Sequence, residues 1–277
     1  MRGSPLSDDD RPAPRGLSLR AVPPNAITAL ALCFGLTGVR YAISATGTDP
    51  HTGDWERAIG AIVVAGVLDG IDGRVARLLK AESRFGAELD SLSDVIAFGV
   101  SPAIILYLWS LQQLPRFGWI FALALAVACA LRLARFNARI DMEDQPHKSA
   151  GFLTGIPAPA AAGLAFAPLY LWLVTENEWF REPFVVAPWA GLIAFLMISN
   201  VATYSWGSIR LRRHVRLEAI LLAALIGTAL FSDPWITLTG VSALYLIMIP
   251  FSIRGYAKVK RGRNMNLMNN LPEDSVD

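Results

Sequence analysis

The sequence predicts an all-α fold, a polytopic membrane helical bundle of about eight spans. Three observations predict it. The 277 residues are 53% hydrophobic and only 17% charged, with a mean hydropathy of +0.41, whereas ordinary soluble domains carry about 25% charge. Apolar stretches near the ~20 residues that a bilayer helix needs recur along the chain. Lys and Arg, finally, gather on alternate connecting segments.

Taken in order, residues 1–20, "MRGSPLSDDDRPAPRGLSLR", are rich in Pro, Asp and Arg and lack the apolar stretch of a signal peptide. They read as a disordered cytosolic tail. Spans are expected at about 24–46, 55–79, 86–110, 115–137, 154–175, 183–205, 217–232 and 235–254. The seventh is the shortest. Together they make one membrane domain, 21–256, because no remaining segment is long enough for a soluble domain. Residues 257–277 read as a second disordered cytosolic tail.

The N-terminal tail, the segments 74–84, 132–148 and 210–216, and the C-terminal end from Arg254 onward hold 21 of the 25 Lys and Arg residues. The opposite connections hold Arg57, Arg116 and Arg181 and are otherwise acidic (Asp49, Asp54, Glu56, Glu176, Glu178, Glu182, Asp233). This split predicts both termini inside, and the cell (inner) membrane is the expected location. Trp55, Trp109, Trp179, Trp206 and Trp235 stand near span ends, where interface belts form. Cys33 and Cys129 lie in apolar runs and read as small buried hydrophobes, and the three histidines make no metal pair. No nucleic acid partner is expected.

Against this background "DGIDGRVARLLKAESRFGAELDSLSD" stands out. Asp69 and Asp72 are three apart at the cytosolic end of the second span, and Asp90 and Asp94 are four apart in the third. Each pair shares a helix face. The short connection "KAESRFG", with Ser83 and Gly86 as helix breakers, lets the two faces meet. Four ionised carboxylates so close in a poorly hydrated place must take up protons or recruit cations. Oxygen-only donors suit Mg²⁺, Mn²⁺ or Ca²⁺. Two divalent ions would balance four acids and admit an anionic substrate. Gly66, Gly70, Gly73 and Ala76 put small residues beside the acids, and Arg77 adds a fixed cation for phosphate oxygens. Metals, an arginine and a small-residue floor describe a diphosphate site.

The spacing D-x2-D-G-x2-A-R-x8-G-x3-D-x3-D, filled here by Asp69, Asp72, Gly73, Ala76, Arg77, Gly86, Asp90 and Asp94, resembles the signature of the CDP-alcohol phosphatidyltransferases. The resemblance implies transfer of a phosphatidyl group from a cytidine diphosphate carrier, CDP-diacylglycerol, to an alcohol, with release of CMP. It implies two divalent metals (Mg²⁺ or Mn²⁺) on Asp69, Asp72 and Asp90, with Asp94 also at the metal site and serving as the catalytic base. It implies liponucleotide contacts at Asn25, Thr28, Gly73, Arg77 and Ser83, a homodimer, and a six-span CDP-alcohol phosphatidyltransferase core to which the two C-terminal spans are added. The bare residues leave Asn25 open as a helix cap instead.

The stretches 83–103, 131–140 and 151–163 most resemble the members of that family that take L-serine as acceptor. Arg132, Arg135 and Arg139 form a stripe at the end of the fourth span that suits a carboxylate, or serves only to orient the span. Asn137 suits the acceptor site or a helix cap. Glycerol phosphate or inositol phosphate would use arginines as well, whereas choline would need an aromatic cage. A cation transporter is the rival of another class. It predicts acids near the bilayer midplane, on broken helices, and these acids stand at a span end beside a Gly/Arg set.

The charge split has a direct test in a chain without its native cysteines. A cysteine at Asn177 is expected to react with an impermeant thiol reagent from outside. One at Ser208 is expected to react only after permeabilisation. The reverse pattern would overturn the predicted orientation.

Overall fold

A computed structural model of the chain describes residues 19–47, 53–140, 152–199, 202–204 and 216–269. Helices dominate, as expected. They are α1 (Val22–Ala45), α2 (Asp54–Leu78), α3 (Arg84–Asp94), α4 (Ser101–Trp109), α5 (Gly118–Ile140), α6 (Ala158–Ala165), α7 (Ala167–Thr175), α8 (Pro183–Ile198), α9 (Arg216–Ser232) and α10 (Pro234–Asn269). A π-helical segment, Val95–Val100, joins α3 to α4 without a break, and α6 and α7 are two halves of one apolar stretch. The eight expected spans therefore correspond to eight helical segments among the described residues. Five of them are long and apolar enough to cross a membrane: Val22–Ala45, Arg84–Trp109, Gly118–Ala138, Ala158–Thr175 and Pro234–Ser252. The chain is a multi-pass membrane protein.

The packing is small inside and large outside. Ala31, Ala42, Ala58, Ala65, Ala97, Ala128, Ala161 and Ala162 are buried, while Leu36, Ile43, Val67, Leu92, Phe195 and Phe231 are exposed. That inversion suits a lipid surround, where small residues let backbones approach and large apolar ones face the acyl chains. α1 lies along α2 and also touches α3, the π segment and α4. α5 packs on α8, and α10 packs on α7. A Cβ on Gly38 of α1 would stand 2.8 Å from the Ala58 carbonyl oxygen, and one on Gly35 would stand 2.8 Å from Ala97 Cα. These contacts set how near α1 comes to the helices that carry the acids.

Several expectations need correction. The sixth span was expected to run to 205, but α8 ends at Ile198 and a strand, β2 (Ala202–Tyr204), follows it. That strand pairs antiparallel with β1 (Phe152–Thr154), Leu153 opposite Thr203. The ribbon is the one departure from an all-α fold among the described residues. The turn after β1 uses Gly155 at φ 75°, where a Cβ would meet the Met197 carbonyl oxygen at 2.6 Å. Only glycine takes that backbone at that distance. Trp109 is no interface residue: it is wholly buried and stacks edge-on against Trp172 at 6.0 Å. Arg181 closes the same end of the bundle, donating from Nε to the Trp109 carbonyl at 3.1 Å. α10 runs beyond the expected boundary at 256, through Asn269. No proline interrupts the polar, helix-compatible stretch from Ala257 to that point. Residues 1–18 and 270–277 of the two expected tails, and Trp206, lie outside the described residues.

The close approach of α1 and α2 gives a prediction. Gly38→Ala is expected to lower the unfolding midpoint in detergent, by an equivalent of about 1–3 kcal/mol for overpacking against backbone. Gly60→Ala, whose Cβ would have nothing within 4 Å, is expected to leave it or raise it. Equal midpoints would show that Gly38 does not set this contact.

Candidate active site

The site begins with how α2 stops. Lys80 takes φ 51°, and its N–H donates to the Arg77 carbonyl while Ala81 N–H reaches the Ala76 carbonyl at 2.9 Å. These two bonds are a Schellman ending, completed by burial of Ala81. Ser83 then caps α3, its hydroxyl accepting from Gly86 N–H at 3.0 Å. The break therefore falls at Lys80. Gly86, expected as a breaker, lies inside α3, where a Cβ would stand 3.0 Å from Asn25 Oδ1. Glycine at that position admits α1 to the start of α3.

This hairpin brings the acids together. One carboxylate oxygen from each of Asp69, Asp72 and Asp90 lies within 4.8 Å of the others. Asp94 reaches the group through Asp69, against whose carboxyl it lies. Three hard oxygen donors converging at that distance fit a hard divalent cation. Asp72 is nearly enclosed, at 4% exposure, and the Thr28 hydroxyl stands 2.6 Å from its Oδ2.

A cleft opens beside the acids, between the start of α1, the end of α2 and the start of α3. Asn25, Thr28, Gly73 and Ser83 line it together with Asp72 and Asp90. A Cβ on Gly73 or Gly70 would meet nothing within 4 Å. These two glycines therefore leave space rather than close packing. Arg77 is exposed and folds along its own helix, its Nε donating to the Gly73 carbonyl at 3.0 Å.

The arginine stripe divides. Arg132 lies within electrostatic reach of Asp94, and its buried Nε has no hydrogen-bond partner. Arg135 turns towards α8, with Nη1 donating to the Ile198 carbonyl at 2.8 Å. It thereby satisfies a carbonyl left free at a helix end. The Arg139 side chain lies outside the described residues. Asn137 donates from Nδ2 to Ser91 Oγ at 2.9 Å, so it ties α5 to α3 between Asp90 and Asp94 instead of capping its own helix.

Sequence reasoning passed over three features. Ser91 and Ser93 interleave the acids of α3, and Ser93 Oγ donates to the Thr28 carbonyl at 3.2 Å. Their signal was the serine spacing in "LDSLSD". The third is the π turn that begins directly after Asp94, in which Ser101 N–H reaches back to the Ile96 carbonyl. Pro102, which has no N–H to continue the α pattern, was its sequence mark.

Comparison with known proteins agrees with this geometry. The family model described as CDP-alcohol phosphatidyltransferase matches residues 21–206, and a second, CDP-alcohol phosphatidyltransferase 2, matches 214–250. The chain is 35% identical to the CDP-diacylglycerol–serine O-phosphatidyltransferase of Mycobacterium leprae, over 88% of this chain and 78% of that one. It is 34% identical to the protein of that name from Mycobacterium tuberculosis, over 87% of this chain and 80% of that one. For the protein of that name from Helicobacter pylori strain 26695 the identity is 33%, over 81% and 87%.

Proposed function

The chain belongs to the CDP-alcohol phosphatidyltransferase family, and on that premise we propose that it moves the phosphatidyl group of CDP-diacylglycerol to the hydroxyl of L-serine, giving phosphatidylserine and CMP. The observation that carries this reading is the convergence of Asp69, Asp72 and Asp90 within 4.8 Å beside an open cleft. Relatives that share most of the chain's length bear the name CDP-diacylglycerol–serine O-phosphatidyltransferase. The family generally uses divalent metals. Two such ions, Mg²⁺ or Mn²⁺, held by Asp69, Asp72 and Asp90 with Asp94 at their edge, would neutralise the diphosphate.

The chain's own residues do the rest. Asn25 and Ser83 face the nucleotide across the cleft, and Gly73 leaves room for it against the helix backbone. Arg77 pairs with phosphate oxygens. Asp94 accepts the proton of the serine hydroxyl. The serine oxygen forms a bond to the lipid-side phosphorus as the bond from that phosphorus to the CMP oxygen breaks, and CMP leaves with the electron pair. No Ser, His or Cys of the signature stands as a covalent nucleophile, so both substrates are bound together and the displacement is direct. Arg132, unpartnered at Nε and close to Asp94, receives the serine carboxylate. Arg135 and Asn137 shape that side, one from the end of α8 and the other from Ser91. The site opens to the cytosol, where the positive connections lie, and the protein works as a homodimer.

Purified protein given CDP-diacylglycerol and a panel of labelled alcohols is expected to use serine far better than glycerol phosphate, inositol phosphate or choline. Activity is expected to vanish in excess EDTA and in Asp69→Asn. Preference for another alcohol would refute the acceptor, and full activity in EDTA would refute the metal reading.

The two arginines are expected to separate. Arg132→Ala is expected to raise the serine KM about ten- to a hundredfold, the loss of a charge-assisted hydrogen bond of about 1.5–3 kcal/mol, with little change in the liponucleotide KM. Arg135→Ala is expected to raise the serine KM less, because it already bonds the Ile198 carbonyl. Equal, unchanged serine dependence in both would leave them as topology signals alone.

A further inference from the structure

Thr28 lines the cleft, yet its side chain is committed inside the protein. It is 5% exposed, and its hydroxyl has two acceptors within reach, Asp72 Oδ2 at 2.6 Å and the Pro24 carbonyl of its own helix at 3.1 Å. A hydroxyl has one proton. With Asp72 ionised the proton goes to the carboxylate, because a charge-assisted bond is the shorter and stronger of the two. The Thr28 carbonyl accepts from Ser93 Oγ at 3.2 Å. One residue of α1 thus holds an acid of α2 through its side chain and a serine of α3 through its backbone. A carboxylate oxygen of Asp72 also lies within 4.8 Å of oxygens of Asp69 and Asp90, so the Thr28 hydroxyl holds the same carboxylate that completes the acid group.

From this geometry we propose that Thr28 is a positioning residue for Asp72, holding that carboxylate in place as a metal ligand, and is not itself a contact for the nucleotide. The proposal rests on the reading that Asp72 holds a divalent cation. Removal of the hydroxyl leaves a buried carboxylate oxygen without its donor. Asp72 is then free to rotate, and it meets the cation less well. Partners of this kind behind a metal ligand commonly change affinity by about 10- to 100-fold.

The test reads metal binding directly. Mn²⁺ is titrated into the full-length detergent-solubilised protein, without substrate, and free Mn²⁺ is followed by electron paramagnetic resonance. Thr28→Val is expected to weaken Mn²⁺ binding at least about tenfold, and Thr28→Ser, which keeps the hydroxyl, to restore it. Thr28→Ala makes the same comparison if the valine crowds the helix contact. At saturating Mn²⁺ the KM for CDP-diacylglycerol is expected to stay near that of the unaltered protein. Unchanged Mn²⁺ affinity in Val and Ala alongside a raised liponucleotide KM would overturn the proposal and make Thr28 a nucleotide contact. Equal weakening in Val, Ala and Ser would overturn it too, leaving only a packing role. An unaltered chain that binds no Mn²⁺ would refute the metal reading and this proposal together. The choice of serine as acceptor does not enter the Mn²⁺ measurement.

Discussion

Mutual repulsion among four carboxylates is the constraint on which the rest of the structure depends. Left bare, Asp69, Asp72, Asp90 and Asp94 would push α2 and α3 apart at the end where they must meet. Oxygens of three of them converge within 4.8 Å, so the hairpin must be held by other means until a cation balances them. The fold supplies those means around the acids. The Schellman ending at Lys80 and the Ser83 cap fix the turn. Thr28, Ser93 and Asn137 bind the acid-bearing helices to α1 and α5 with hydrogen bonds from uncharged donors. The glycines at 35 and 38 bring α1 near enough to do so. Neutral donors matter here, since a lysine or arginine in those places would compete with the metal for the same oxygens.

Much of this was legible in the sequence because the bilayer imposes coarse rules. Span length and the Lys/Arg split brought out eight helical segments in the right order. The eight-residue signature brought out the acids and the open floor at Gly73. What escaped lies below the resolution of those rules. Lys80 adopts a left-handed conformation that glycine usually takes, so the sequence marks the break less clearly there than at Ser83 and Gly86. The ribbon between β1 and β2 replaces what read as the last turn of an apolar span, because "VATY" is as hydrophobic as a helix end and its β-branched residues decide the matter only with a partner strand present. The Thr28–Asp72 bond joins residues 44 apart, and no periodicity reports such a pairing.

The two sides of the site are built differently. The proposed nucleotide side sits on α1, α2 and α3, which hold one another through short hydrogen bonds and close backbone contacts. The proposed acceptor side sits on α5, whose charged end is divided between neighbours. Arg135 goes to the end of α8, Asn137 goes to Ser91, and Arg132 keeps a buried donor without a partner. A buried guanidinium N–H left unsatisfied is costly, and protein interiors seldom retain one without use. Its place near Asp94 sets a carboxylate-binding group beside the proposed base. An amino acid acceptor bound there would have its carboxylate and its hydroxyl fixed by different residues, which is what orients one oxygen for attack.

The π turn after Asp94 follows from the same requirement. In a continuous α-helix from Arg84 to Trp109, the residues after Asp94 would keep the register that the acids set. The apolar half of that stretch must instead pack against α1 and α5, with Ala97 on Gly35 and Gly99 on Cys129. A wider turn over Val95–Val100 shifts the register between the two halves. The acids then face the hairpin while Phe98, Ile105 and Trp109 face the core. Pro102 makes the change of register less costly, since the hydrogen bond that a regular helix would form at that point has no donor. The helix that carries the proposed base is thus divided at the base itself. The polar half serves the chemistry and the apolar half serves the bundle, with no loop between them to loosen Asp94.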